Sequence, residues 1–249
     1  MHFDIHFIIM VMILGFVTGY VDGIAGGGGL LTIPVLLSLG LSPLVTLGTS
    51  KFAGVLGCFQ SLRVFIKRNI INVKLWYPVI FGAVSGSMLG ALTIQFINPN
   101  FLNRLIPIFM LIVIIYMCIP KNASHYYRKD NLKPKKRSSI LFSSIIGFYD
   151  GFFGPGTAAV GTSIMMFGYK IELLQATAVV RLVLFSSNIA AFLMFTIKGN
   201  VDFSVGIALA STYMIGSYFG SVSAVRFGAK FIKPIFLVMS AIICIHLLL

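Results

Sequence analysis

Two aspartates stand beside glycine-rich interruptions in an otherwise apolar chain. Asp22 begins the run Asp-Gly-Ile-Ala-Gly-Gly-Gly-Gly, and Asp150 begins a related run, Asp-Gly-Phe-Phe-Gly-Pro-Gly, in the second half. An acidic side chain at membrane depth is costly, so it indicates a function. Each aspartate could relay a proton, coordinate a cation or pair with a base. The alternative is a structural role, in which the carboxylate accepts hydrogen bonds from backbone amides and holds the interruption open.

The glycine runs would themselves supply backbone donors. A helix that begins after an interruption presents unpaired N–H groups and the positive end of its dipole, which suits an anion. We expect such helix starts near residues 28–30 and 156–158. The glycines could instead serve only close helix packing, but four in succession exceed what packing needs. We therefore predict an anion site formed by Gly26, Gly27, Gly28, Gly29, Gly154, Pro155 and Gly156.

Two basic residues lie deep within apolar segments rather than near expected loops. Lys51 follows Thr49 and Ser50 early in one long segment, and Arg181 takes a similar place in the second half. They could neutralise the two aspartates or attract an anion, and arginine is the better ligand for an oxyanion. Lys51 could instead extend its ammonium group to the membrane surface. We predict substrate binding by Thr49, Ser50 and Arg181, and an ion-coupling or structural role for Asp22, Asp150 and Lys51.

The surrounding composition is that of an integral membrane protein. The chain has 249 residues, of which 58% are hydrophobic and 10% charged, and its mean hydropathy is +0.99. A soluble domain would carry about 25% charged residues. The net charge is +13, and seven of the 19 basic residues fall within 121–137. Basic residues concentrated between apolar segments are typical of cytoplasmic loops, so we expect the lipid bilayer, and not nucleic acid, as a partner.

Signatures of enzymes are missing from the sequence. Its three cysteines and four histidines are scattered, without the spacing of metal ligands or of a disulfide framework. It contains no Ser-His-Asp arrangement and no phosphate loop that ends in Gly-Lys-Ser/Thr. We therefore predict no enzymatic activity, no bound metal and no cofactor.

Ten apolar segments would position the candidate residues. They run roughly over 5–22, 30–40, 44–66, 75–97, 101–119, 139–152, 157–168, 171–197, 203–225 and 231–248. A membrane span needs about 20 residues, so the last three segments of each half qualify, whereas the first two of each half are mostly short pieces that meet at the glycine run. We predict an all-α integral membrane protein with a first transmembrane repeat at 1–120, a basic cytoplasmic linker at 121–137 and a second repeat at 138–249.

The two halves share residues in the same order, which indicates duplication. The corresponding pairs are Gly19 and Gly147, Asp22 and Asp150, Gly23 and Gly151, Gly26 and Gly154, Gly28 and Gly156, Gly40 and Gly168. Lipid cannot satisfy the backbone groups of a broken helix, so breaks are tolerated only around a protein-lined cavity. Paired breaks in two repeats therefore indicate a substrate site.

The distribution of basic residues favours one of two topologies. If each broken pair of segments is a re-entrant hairpin, the repeats are inverted, and only Arg104 and Lys198 among the loop-borne basic residues lie outside. If each pair crosses the membrane once, the result is an eight-span arrangement of parallel repeats, with more basic residues outside. Because basic loops face the cytoplasm, inverted repeats are favoured, and the eight-span arrangement is the alternative.

At these motifs the chain resembles the TauE/SafE family of sulfite exporters. The resembling residues are the Gly-Tyr-Val-Asp-Gly-Ile-Ala-Gly-Gly-Gly-Gly run followed by Pro34, and the Gly-Phe-Tyr-Asp-Gly-Phe-Phe-Gly-Pro-Gly run of the second half. The resemblance covers about residues 8 to 248. It implies secondary transport of sulfite, sulfonates or related anions across the cytoplasmic membrane, without ATP hydrolysis. It does not indicate the coupling ion.

Together these features predict a multi-pass carrier of the cytoplasmic membrane for a small oxyanion or organosulfur anion, with a homodimer as one possible assembly. One repeat would rock against the other to give alternating access. The alternatives are an anion channel and a carrier of another small solute, such as a metal cation or an amine.

Overall fold

The computed structural model describes residues 5–26, 28–118 and 135–227, and its regular elements there are all helical. Gly27, most of the basic linker and the last apolar segment, 231–248, lie outside the described residues. The helices are α1 (Ile5–Ala25), α2 (Gly28–Ser38), α3 (Pro43–Lys67), α4 (Val73–Trp76), α5 (Pro78–Gln95), α6 (Pro99–Cys118), α7 (Lys136–Phe152), α8 (Thr157–Tyr169), α9 (Leu173–Ile197) and α10 (Phe203–Phe227).

Helix length and hydropathy confirm the prediction of an all-α membrane protein. Within the described residues, five helices are long and apolar enough to cross a membrane, namely α1, α5, α6, α9 and α10. Helix α3 also has 25 residues but carries several basic side chains. Helices α2 and α8 have 11 and 13 residues, fewer than the about 20 that a span requires.

Glycines with left-handed backbone angles form the two breaks. Gly26 follows α1 with φ +76°, and Gly154 follows α7 with φ +98°, angles that only glycine adopts without cost. The breaks also lie against each other, because a Cβ atom added to Gly26 would lie 2.0 Å from the Cβ of Ala158 in α8. Interruptions that are far apart in the sequence therefore meet inside the protein.

The chain reverses direction at both breaks. Leu36, near the end of α2, belongs to the same buried apolar cluster as Val11 of α1. The hydroxyl groups of Tyr169, the last residue of α8, and Ser139, near the start of α7, lie within hydrogen-bond distance at 3.1 Å. Each short helix therefore returns toward the end of the bundle at which the preceding helix begins.

Each broken helix packs closely against a long helix of the other half. A Cβ added to Gly19 of α1 would lie 2.2 Å from the carbonyl oxygen of Tyr213 in α10, and one added to Gly86 of α5 would lie 2.1 Å from that of Ser144 in α7. Small residues allow membrane helices to approach at their backbones. The two halves of the chain are thereby interlocked.

Helices α3 and α9 cross at the centre in opposite directions. Phe52, early in α3, stacks on Phe192, late in α9, with ring centroids 5.0 Å apart. Phe59, further along α3, contacts Phe185, earlier in α9, at 5.8 Å. The two helices that carry the buried basic residues are therefore antiparallel neighbours.

Candidate functional site

A cavity of about 50 Å³ lies where the two breaks meet α3, α9 and α10. Gly26 and Gly29 contribute from the first break, and Gly154, Pro155 and Thr157 from the second. Both aspartates also line the cavity, together with Ser50 and Lys51 of α3. The glycine runs of the two halves, which the sequence separates widely, thus form one site.

The accessible part of the cavity wall is formed by Gly29, Ser50 and Gly154, which are half-buried. Lys51, Asp150, Asp22 and Tyr213 also line the cavity but are buried. Ser50 lies early in α3, so its part of the wall is nearer the end of the bundle at which α3 begins.

Arg181 of α9 pairs with Asp22 at the end of α1. The Arg181 NH1 nitrogen lies 2.7 Å from the Asp22 Oδ2 oxygen, and NH2 donates to the Asp22 backbone carbonyl. The other carboxylate oxygen, Oδ1, accepts a hydrogen bond from the Gly28 amide at 3.4 Å. Arg181 is fully buried, so this ion pair joins α9 to the first break inside the protein.

Lys51 of α3 makes the equivalent pair with Asp150 at the end of α7. The Lys51 Nζ atom lies 3.0 Å from the Asp150 Oδ1 oxygen and donates to the Asp150 backbone carbonyl. The Ser187 hydroxyl donates to the remaining oxygen, Oδ2, at 2.6 Å. Lys51 is only 4% exposed, so its ammonium group does not extend to the membrane surface.

Each basic residue therefore neutralises the aspartate of the opposite half. Both oxygens of the Asp22 carboxylate accept a hydrogen bond. Of the Asp150 oxygens, one accepts a hydrogen bond from Ser187 and the other is paired with the Lys51 ammonium group, as a buried charge requires. This arrangement matches the structural role considered for both aspartates, because it fixes the end of each broken helix. A role in proton or cation coupling stays a prediction.

The first turns of both short helices lie at the cavity. Helix α2 begins at Gly28 and α8 at Thr157, as the sequence predicts. The amides of a first helical turn have no acceptor within the helix, and Gly29 and Ala158, both in first turns, line the cavity. The Thr157 amide and hydroxyl already bond to the Gly154 carbonyl, at 3.1 and 2.6 Å. Two positive helix ends therefore meet at one small cavity.

Not all predicted site residues reach the cavity. The structure brings Gly26, Gly29, Gly154, Pro155, Ser50, Lys51, Asp22 and Asp150 together there. Gly28 and Gly156 flank the breaks without lining the cavity, and Gly27 lies outside the described residues. The Thr49 hydroxyl accepts a hydrogen bond from the Asp202 amide at 3.0 Å, before α10. Arg181 lies behind the lining, against Asp22.

Two lining residues, Cys58 and Tyr213, have no signal in the sequence. Cys58 of α3 and Asn188 of α9 meet across the antiparallel crossing, with Asn188 Nδ2 lying 3.6 Å from the Cys58 sulfur. Tyr213 reaches the cavity from α10. Asn188 could be recognised as a polar residue at helix depth, but Cys58 and Tyr213 are ordinary residues of apolar segments.

Comparison with known proteins identifies the family. The sequence profile described as Sulfite exporter TauE/SafE matches residues 11–247. The chain belongs to the TauE/SafE family. This confirms the resemblance seen at the glycine runs and makes the protein a multi-pass membrane transporter. No solved structure matches the chain.

Named relatives of this TauE/SafE member are described as transporters without a substrate. A probable membrane transporter protein, ORF9, of Sinorhizobium sp is 34% identical over 229 residues, which cover 90% of this chain and 86% of the relative. A probable membrane transporter protein of Haemophilus influenzae is 31% identical, with 87% and 85% covered. The probable membrane transporter protein YfcA of Escherichia coli K12 is 30% identical, with 90% and 83% covered.

Proposed function

We propose that the protein is a secondary transporter of a small anion, such as sulfite, a sulfonate or a related organic anion, across the cell membrane. The observation that carries this proposal is the convergence of two helix N-termini on one cavity. The backbone donors there and the aligned dipoles suit an oxyanion. The description of the family as sulfite exporters agrees with this class of substrate.

The size of the cavity supports a small inorganic oxyanion. One water needs about 10–15 Å³ of such volume, so a cavity of about 50 Å³ holds roughly three to five atoms of that size. Sulfite, a sulfur atom with its oxygens, is of this size. Sulfoacetate and taurine are larger and would require the cavity to widen.

The charges around the cavity leave one ammonium group in contact with it. The opposite charges cancel within each of the two ion pairs, so the site holds no excess of buried cations. An ammonium group has three donors, and Lys51 donates one to the Asp150 carbonyl and lies 3.0 Å from the Asp150 carboxylate. A further N–H therefore remains on a side chain that lines the cavity, where it would bind the anion.

We also propose that the protein consists of inverted repeats with re-entrant hairpins. The equivalent helices α3 and α9 are antiparallel, as an axis in the membrane plane requires. Corresponding hydrogen bonds support it: the Ser87 hydroxyl donates to the Ser187 carbonyl at 2.6 Å, and the Ser217 hydroxyl to the Gly57 carbonyl at 2.8 Å. In the first bond α5 donates to α9, and in the second α10 donates to α3. In both cases the helix of the fourth apolar segment of one half bonds to the helix of the third apolar segment of the other half.

The placement of basic residues supports the same topology. Trp76 contacts Tyr169 with ring centroids 5.4 Å apart, and the Lys136 Nζ atom lies 6.0 Å above the Tyr77 ring. These contacts place α4, the start of α7 and the end of α8 at one end of the bundle. The basic residues near these elements are Lys74, Lys135, Lys136, Arg137 and Lys170. We propose that this end and the linker 121–137 face the cytoplasm of a cell membrane.

Alternating access would then move bodies that each combine helices of both halves. The close contacts of α1 with α10 and of α7 with α5 would move as units, so the halves of the chain would not rock as separate bodies. Ser50, a half-buried lining residue, lies in the part of α3 that is away from the basic end. We propose that this conformation faces outward and that the inward-facing one exposes the side of Arg181.

Uptake into proteoliposomes tests the proposed function. The purified protein should take up labelled sulfite with saturation kinetics, and thiosulfate, sulfate, sulfoacetate and taurine should compete in an order that follows their size and charge. Folded protein that gives no flux above empty liposomes would remove sulfite as the substrate. Competition by taurine as strong as that by the small anions would contradict the size argument.

A further inference from the structure

The ammonium group of Lys51 occupies a position that would suit a free cation. It lies 3.0 Å from the Asp150 carboxylate and also bonds to the Asp150 backbone carbonyl. The Gly154 backbone closes the site, since a Cβ added there would lie 2.7 Å from the Nζ atom. A carboxylate beside the carbonyl end of a broken helix is the arrangement with which transporters hold coupling cations.

The surroundings require a positive charge at this place. Asp150 is 3% exposed, and a buried carboxylate is stable only when it is paired and hydrogen-bonded. The negative end of the α7 dipole lies at the same point, because α7 ends at Phe152, and this favours a cation further. Ser187 supplies a hydrogen bond but no charge.

We infer that the Lys51 ammonium group is the built-in occupant of a monovalent cation site, and that its removal opens this site to free sodium or ammonium. The transporter therefore needs no free cation at the second break. The tethered ammonium group holds the end of α7 permanently. If a dissociable ion held it instead, the stability of the break would depend on the concentration of that cation.

The other ion pair is not equivalent in this respect. Arg181 contacts Asp22 through two different nitrogen atoms, one on the carboxylate and one on the carbonyl. The planar guanidinium group bridges the carboxylate and carbonyl oxygens of Asp22 with two nitrogen atoms. A single spherical ion could replace it only if these two oxygens moved closer together. The inference is therefore restricted to Lys51.

Thermal unfolding of the purified protein, followed by the fluorescence of Trp76, the one tryptophan of the chain, tests the inference without any substrate. In choline chloride, Lys51→Ala should lower the Tm on the order of 10 °C, because it leaves a buried carboxylate without its partner. Replacing choline by sodium or ammonium chloride at constant ionic strength should restore the Tm in proportion to the logarithm of the cation concentration. The wild type should show no such dependence.

Two further variants separate the cation site from general salt effects. Lys51→Met fills the space with an apolar side chain, so sodium and ammonium should not restore its Tm. Lys198→Ala removes an exposed lysine from the end of α9 and should behave like the wild type in every salt. Recovery of Lys51→Met equal to that of Lys51→Ala would overturn the inference.

The double variant covers the case in which Lys51→Ala does not fold in choline. Lys51→Ala combined with Asp150→Asn removes both charges, so it should fold in choline and be insensitive to the cation. The inference is overturned if Lys51→Ala is as stable as the wild type in choline, or if no monovalent cation restores it. These results leave sulfite transport by the wild type untouched, so they are distinguishable from a failure of the proposed function.

Discussion

Gly29 gives the most direct control over the size of the cavity. It lies in the first turn of α2 and lines the cavity, and the nearest atoms to an added Cβ are those of Pro155, at 3.6 Å. This is ordinary van der Waals contact, so Gly29→Ala should fold normally. Its methyl group would then reduce the space available to the anion.

The expected effect follows from the volume. A cavity of about 50 Å³ holds roughly three to five atoms of water size, and the methyl group takes the place of about one of them. Sulfite would then be overpacked, at a cost of about 1–3 kcal/mol. Since about 1.4 kcal/mol corresponds to a tenfold change in affinity, we expect the KM for sulfite to rise about 5- to 150-fold.

The assay is the concentration dependence of labelled sulfite uptake into proteoliposomes. Gly168→Ala is the matched control, because Gly168 is an exposed residue of α8 and an added Cβ there meets nothing within 4 Å. It should leave the KM unchanged. An equal KM for both folded variants would refute the placement of the anion between the two breaks.

Two further predictions concern stability. Two variants test the Arg181–Asp22 pair: Arg181→Met should lower the free energy of unfolding by about 3–5 kcal/mol, because the Asp22 carboxylate stays buried without a counter-ion. Adding Asp22→Asn should restore much of the loss. Thermal unfolding of the single and the double variant checks this, and an equal loss in the double variant would contradict it. Gly86→Val should lower the Tm because its Cβ would lie 2.1 Å from the Ser144 carbonyl oxygen. Leu89→Val, at a position of the same helix that is 61% exposed, should not lower it. A Tm for Gly86→Val as high as that of Leu89→Val would argue against the close contact of α5 and α7.

Local sequence patterns predict most of the helices correctly. Apolar segments give the long helices to within a few residues, and the glycine runs give the breaks and the starts of α2 and α8. These features depend on neighbouring residues, namely the run length of apolar side chains and the angles that glycine adopts. The family follows from the same motifs.

Direction around a helix explains why Thr49 is not part of the cavity. Consecutive residues of an α-helix point about 100° apart, so Thr49, Ser50 and Lys51 cannot all face one site. Ser50 and Lys51 line the cavity, whereas Thr49 faces the start of α10. The sequence shows that the three residues are adjacent but not which helix each one faces.

The crossed ion pairs depend on long-range packing that the sequence does not specify. Arg181 and Asp22 are neutralised in the first break, and Lys51 and Asp150 in the second, because the antiparallel crossing of α3 and α9 carries each basic residue to the opposite half. Without that crossing, Lys51 near an expected interface is also consistent with a surface position. Tyr213 reaches the cavity for the same reason, through the packing of α10.

Counterflow of sulfite tests the central claim most directly, because only a carrier with an alternately accessible site couples the two directions of flux. Proteoliposomes that contain the protein would be loaded with unlabelled sulfite and diluted into a trace of labelled sulfite. We predict transient accumulation of the label above its equilibrium level, and no such accumulation in vesicles loaded with taurine. Rapid flux of sulfite that internal unlabelled sulfite does not stimulate would contradict the account and indicate an anion channel.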